Sequence, residues 1–185
     1  MSSAQDAVDY SNQAQYRVVA DTRCLTATLD LVTVPGQQLY EMPSLVIDLI
    51  TILDGANALP YVSPHDGLTM ASRVDVVDLG GPRFFTVGRL LGIYPTPTEV
   101  HTYTVWYHTR PAALTSDAEL EVTGDFELAV ERLVQAMKLE DDGQPELAAE
   151  EKANYLLDLT HLRRQATLPT PAQGRVIGFD QADRT

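Results

Sequence analysis

Val100 to Thr109, VHTYTVWYHT, is the stretch that most restricts what this chain can become. Val100, Thr102, Thr104, Trp106 and His108 alternate with His101, Tyr103, Val105 and Tyr107. A period of two in β-branched and aromatic residues fits a pleated strand and not the face of a helix. Upstream, Arg89–Tyr94 reads as a shorter strand and Pro82–Val87 as a third, joined through Gly88. In Pro95-Thr96-Pro97-Thr98 each proline fixes φ and withholds an N–H, which predicts a tight reversal. Pro82–Thr109 is therefore expected to form a β-meander that ends at Arg110-Pro111.

The period changes at Asp125. Phe126, Ala129, Val130, Leu133, Val134 and Met137 make an apolar stripe at helical spacing, with Thr123 or Asp125 as candidate caps. Asp141-Asp142-Gly143-Gln144 interrupts it, and Pro145 opens a second helix at its tolerated first turn. Ala149, Ala153, Leu156, Leu159 and Leu162 are the expected buried face of that helix. The short loop makes the two helices antiparallel neighbours, a hairpin over about residues 124–164.

Earlier in the chain, residues 4 to about 21 predict a helix with Ala7, Tyr10, Ala14, Val18 and Asp21 on one side. Ser11, Asn12, Gln13 and Gln15 occupy much of the rest. Leu25–Val34 alternates as a strand, and Pro35-Gly36 predicts a turn that returns Gln38–Met42 as its hairpin partner. Leu45–Leu53 is more continuously apolar and reads as a buried strand. Pro60 pushes the short strand Ala58–Val62 to an edge. Ser63-Pro64-His65-Asp66 has the form of a helix start, and Val74–Leu79 adds a strand. The fold class is thus α+β: an N-terminal helix, a β-hairpin and meander-rich part over about residues 25–110, and an antiparallel helical hairpin. Residues 1–164 are expected to be one domain, and residues 165–185 an extended tail, because Pro169, Pro171 and Gly174 break regular structure.

Charge bounds the partners. The chain carries −13, divided as −5 over residues 1–116, −10 over 117–158 and +2 over 159–185. An acidic body repels phosphate, so wrapping nucleic acid by counterion release is disfavoured. No apolar run reaches the roughly 20 residues that span a bilayer, so no membrane is expected as partner. The first residues lack the charge and apolar stretch of a signal peptide, and Cys24 is the only cysteine. A cytosolic site of synthesis is the expectation.

Motifs for catalysis are not found. His101 and His108 fall on opposite faces of their strand, and His65 and His161 bring no second ligand. Arg23 alone would activate Cys24, which reads better as a packed thiol. There is no Gly-x-Ser-x-Gly elbow and no phosphate-binding loop, and Glu140-Asp141-Asp142 lacks the alternate spacing of a calcium loop. Trp106, Tyr107 and Tyr103 could stack on a sugar, although aromatic strand residues more often serve a core or interface. No catalytic residue, cofactor or metal is expected.

Order and spacing carry a resemblance. Gly81-Pro82-Arg83-Phe84, then Tyr94-Pro95-Thr96-Pro97, then an aromatic strand closing on Arg110-Pro111-Ala112-Ala113-Leu114-Thr115 resembles the head-to-tail adaptor, or connector, proteins of tailed bacteriophages. Gly36-Gln37-Gln38-Leu39-Tyr40-Glu41-Met42-Pro43 is similar to that family's Gly-Gln-x-x-Tyr-x-Leu-Pro segment, and Ser116–Arg164 to its acidic step into a helical hairpin. The likeness covers Leu25–Arg164; the segment before Leu25 lacks the tryptophan-containing start of many relatives. It implies a structural virion protein and no enzyme: a subunit of a ring of about twelve copies between portal and tail. The implied partners are the chain itself, the portal protein, a tail or nozzle protein, and DNA passing through the bore without sequence-specific binding. A C-terminal segment would reach the portal, with Arg175, Val176, Ile177 and Phe179 as the docking residues. The alternatives are a neck or tail-completion protein at another position, and a carbohydrate-binding or hydrolytic virion protein using the aromatic strand.

Overall fold

In a computed structural model the described residues are 4–70, 81–115 and 119–167. The chain divides into two compact units, one built from residues around 4–26 and 108–167 and the other from residues 27–107. The expected strand Val74–Leu79 and the tail residues Arg175, Val176, Ile177 and Phe179 lie outside the described residues.

The first unit is helical. It consists of α1 (Ala4–Thr22), α3 (Asp125–Asp141) and α4 (Pro145–Thr167), with the irregular segment after residue 109 lying between α1 and α3 in sequence. The apolar stripe of α3 is as its spacing predicts, with Ala129, Val130, Leu133 and Ala136 buried. Its N-cap is neither Thr123 nor Asp125 but Gly124, at φ 65, a left-handed turn open to glycine, with no side-chain cap. Gly143, at φ 72, reverses the chain into α4, where Pro145 takes the first turn as expected. The buried face of α4 differs from the one its leucines suggest. Ala148, Tyr155, Leu159 and Leu162 are buried, whereas Ala149, Ala153 and Leu156 are exposed. The phenol of Tyr155 reaches α1 and draws the helix round, because its hydroxyl finds a partner there.

The second unit holds two sheets. A four-stranded sheet has the order β1 (Thr26–Val32), β7 (Thr102–Thr109), β3 (Val46–Asp54) and β4 (Asn57–Ala58). A three-stranded sheet has the order β2 (Leu39–Glu41), β6 (Leu90–Tyr94) and β5 (Arg83–Val87). Alternation on β7 buries Tyr103, Val105, Tyr107 and Thr109 and leaves Trp106 half-buried on the other face. Tyr103, Val105 and Tyr107 join Ala27, Leu31, Ile52, Tyr40, Phe84, Leu91 and Ile93 in one core that draws on both sheets.

Two expected pairings are corrected. β1 and β2 do not form a hairpin. β1 pairs antiparallel with β7, from Thr33 N–H on the His101 carbonyl to Thr109 N–H on the Leu25 carbonyl. The Pro35-Gly36 turn is present, with Gln37 N–H donating to Val34, but it delivers the chain to the other sheet. There the Tyr40 hydroxyl meets Val34 N–H and donates to the Gln37 carbonyl at 2.7 Å, side-chain bonds in place of a ladder. Nor do β5, β6 and β7 form one meander. β5 and β6 are the hairpin expected through Gly88, but both edges of β7 are taken by β1 and β3. The segment Pro95–His101 therefore carries the chain between sheets rather than reversing it within one. β3 is a strand as its residue types predict, yet only Ile52 is fully buried and Ile50 is exposed. Its neighbour β4 covers only Leu53 and Asp54, so burial stops there.

Short α2 (Pro64–Met70) completes the unit. Ser63 caps it as expected: its Oγ accepts from Asp66 N–H at 3.1 Å and donates to the Asp66 carboxylate at 2.6 Å. Gly67, unfavourable in a helix, is explained by Phe85. A Cβ on Gly67 would stand 2.3 Å from that ring, and one on Gly92 would stand 2.2 Å from its other side. The fully buried Phe85 ring thus separates α2 from β6 at the distance that two glycines allow. Gly92→Ala should destabilise the fold by about 1–3 kcal/mol through overpacking. Thermal unfolding checks this, and Phe85→Leu combined with Gly92→Ala should recover part of the loss, whereas Phe85→Leu alone should only destabilise.

Candidate interaction surfaces

The polar side chains of α1 hold the helical unit together. Gln15 is fully buried. Its Nε2 donates to the Ala112 carbonyl at 3.4 Å, and its Oε1 accepts from Glu121 N–H at 2.9 Å. One turn earlier, Asn12 Oδ1 accepts from Leu114 N–H at 2.6 Å and its Nδ2 donates to the Leu114 carbonyl at 3.3 Å. Two amides at helical spacing thereby bond backbone groups of Ala112, Leu114 and Glu121, as a neighbouring strand would. The sequence groups both residues with the solvent face. The available signal was their position beside Ala14 and Val18, since Gln15 directly follows a buried alanine.

Aspartates fasten the two ends of α1. Asp21 accepts from Tyr155 at 2.8 Å and from Arg17 at 2.9 Å, while Arg163 donates to the Asp21 backbone carbonyl. At the other end the Tyr10 hydroxyl donates to Asp141. Burial, and then the bond to Asp21, push the Tyr155 phenol far upward. The Asp141 bond raises Tyr10 to about 12.

His101 Nε2 lies 2.9 Å from Asp54 Oδ1 and its ring centre 4.6 Å from that of Tyr103, and both members of the ion pair are exposed. His65 belongs to α2 and His161 to α4. Burial pushes the Cys24 thiol upward, away from the reactive thiolate. Among the described residues no group of three or more His, Cys, Asp or Glu is placed to hold a metal ion.

What the surface does offer is apolar area. In the β unit an open groove of about 460 Å³ is lined by Met42, Val46, Ile50, Tyr61, Phe84 and Leu90, with Asp48 and Arg89 its charged members. That lining contains no histidine, cysteine or carboxylate pair, and it suits contact with a protein better than turnover of a small molecule. In the helical unit Leu128, Leu147, Leu156 and Leu157 are each about half exposed or more. Single exposed leucines are ordinary; several on one helical hairpin mark an association surface.

Comparison with known protein families matches residues 2–176 to SU10 adaptor proteins. The chain belongs to the SU10 adaptor protein family. The match takes in both units, and it agrees with a head–tail adaptor of a tailed phage. No curated protein matches the chain. An SU10 adaptor is a structural component of the virion and works through other virion proteins, and the family is not one known for catalysis. No helix among the described residues is long and apolar enough to cross a membrane.

The aspartate–tyrosine bonds give the helical unit an alkaline limit. A phenol raised above its unfolded value of about 10 keeps its proton in the folded state where the unfolded chain has lost it. Its contribution is complete below pH about 10 and is lost as pH rises through the folded value. Tyr155→Phe should cost about 1.5–3 kcal/mol at neutral pH, as expected for a hydrogen bond to a carboxylate. Melting temperature followed from pH 7 to 11 should fall less steeply above pH 10 in that variant than in the parent.

Proposed function

We propose that this SU10 adaptor is the subunit of a ring of about twelve copies that joins the portal vertex of the head to the tail and surrounds the DNA passage. Family membership over residues 2–176 is the observation that carries the reading. The surfaces support it. Apolar area lies on helix faces and in an open groove. Acidity is concentrated in residues 117–158, where Glu127, Glu131, Glu146 and Glu150 are exposed. A wall of that sign lets a polyanion move past without adhering.

In this reading residues 1–164 act as one adaptor domain and residues 165–185 as a docking tail for the portal. The tail carries Arg175, Val176, Ile177 and Phe179 beside a strongly acidic body. Val176, Ile177 and Phe179 suit an apolar groove on another protein and Arg175 an acid at its rim, and repetition round a ring multiplies a weak contact. The lower face of the ring would receive a tail or nozzle protein. DNA would pass through the bore without sequence-specific binding.

Deletion of residues 172–185 tests the docking role. The truncated protein should remain folded, because the described elements end with α4 at Thr167. It should fail to co-sediment with DNA-filled, portal-bearing heads that bind the full chain, and those heads should leak DNA. Unchanged binding of the truncated protein would place the portal contact elsewhere. Failure of the full chain to bind such heads would remove the adaptor position altogether.

A further inference from the structure

Two helix faces of the helical unit leave apolar side chains open to solvent. On α4, Ala149, Ala153, Leu156, Leu157 and Thr160 follow one another at steps of one, three and four on one side, and all are exposed. Leu156 is 59% and Leu157 76% exposed. On α1, Gln13, Tyr16 and Ala20 form an exposed row on the side away from buried Ala14, Val18 and Thr22. The two faces differ in relief. α4 offers small alanines between leucines, and α1 offers one large ring, Tyr16, 38% exposed, among smaller neighbours.

Their ends also match in charge, in one orientation only. α1 begins with Asp6 and Asp9 and is followed at its end by Arg23. α4 begins with Glu146 and Glu150 and carries Arg163 and Arg164 in its last turns. Parallel packing would set acid on acid at one end and base on base at the other. Antiparallel packing sets Asp6 and Asp9 against Arg163 and Arg164, and Arg23 against Glu146. With Tyr16 over Ala153, the common rise of about 1.5 Å per residue brings Ala20 level with Ala149 and Gln13 level with Leu156. Arg23 then falls level with Glu146.

We infer that α1 of one copy docks antiparallel on α4 of the next copy, through the Tyr16–Ala20 and Ala149–Leu157 faces. The inference rests on the ring reading above and names the surface that would close it. Because the two faces are different, each copy presents one of each and the contact repeats from copy to copy, closing into a ring when the rotation allows. A contact of α4 with α4 would instead stop at two copies.

Disulfide trapping tests it in the full-length protein with Cys24→Ser as background. Tyr16→Cys combined with Ala153→Cys should give, on mild oxidation, a ladder of covalent multimers rising to the ring, while either cysteine alone leaves single chains. Covalent dimers from Ala153→Cys alone would overturn the inference in favour of a two-fold α4 contact. Leu157→Glu is the companion, since the side chain is exposed and its replacement should leave melting unchanged while abolishing rings in native mass spectrometry. Closed rings of Leu157→Glu, or rings of the parent with no ladder from the double cysteine, would show that the ring is real and closes through other faces. A parent chain that forms no ring with or without its portal would remove the ring reading itself, and this contact with it.

Discussion

A buried glutamine side chain sets the terms for the helical unit. Gln15 has no exposure, and an amide in that position costs free energy unless its donor and acceptor are both used. Its partners, Ala112 and Glu121, stand 97 and 106 residues away in sequence. The bonds can therefore form only after everything between has been brought into a compact loop. With Asn12, Gln15 gives the irregular segment after Arg110 the hydrogen bonds that a strand neighbour would give. Asp21 and Asp141 then fix the ends of α1 against α4 and α3 through Tyr155 and Tyr10. Packing of Val18, Val19, Val130 and Leu133 adds the apolar part, but the amides and phenols decide which face of each helix is used.

The same rule governs the β unit in another form. Connections there are set by which strand edges are already occupied. β7 is claimed on both sides, so β6 must find β2 and β5, and the prolines between β6 and β7 supply the passage from one sheet to the other. Tyr40 satisfies backbone groups at the Pro35-Gly36 turn, where the chain makes the reverse passage. Phe85, held between Gly67 and Gly92, fixes α2 on the smaller sheet. The apolar side chains left over, along β3 and on the outer face of α4, are those that an assembled particle can use.

What was legible in the sequence was local. The period of two on β7, the period of 3.6 on α3, Pro145 at a helix start and the Ser63 cap each depend on residues a few positions apart. All four are present in the structure. The fold class follows from them. Pairing was less legible, because a turn dipeptide specifies a reversal and not the sheet that receives it; Pro35-Gly36 and Pro95–Thr98 both misled in this way. The face of α4 was misread because alanine and leucine cover more than one side of it, and the deciding residue is Tyr155, whose partner Asp21 lies on another helix. Gln15 and Asn12 were read as solvated because periodicity treats every amide as polar surface. The resemblance to phage adaptors, carried by order and spacing rather than by any chemical motif, survived these errors since it did not depend on which strands pair.

The central claim is that the apolar surface of this SU10 adaptor is there for assembly. A thiol pushed upward by burial and an acidic hairpin are both consistent with a subunit whose work is contact. Native mass spectrometry of the full chain titrated with its portal protein tests this most directly. The account predicts a single stoichiometric species in which a closed ring of the chain is seated on the portal. A chain that stays monomeric beside an unoccupied portal at every concentration would contradict it.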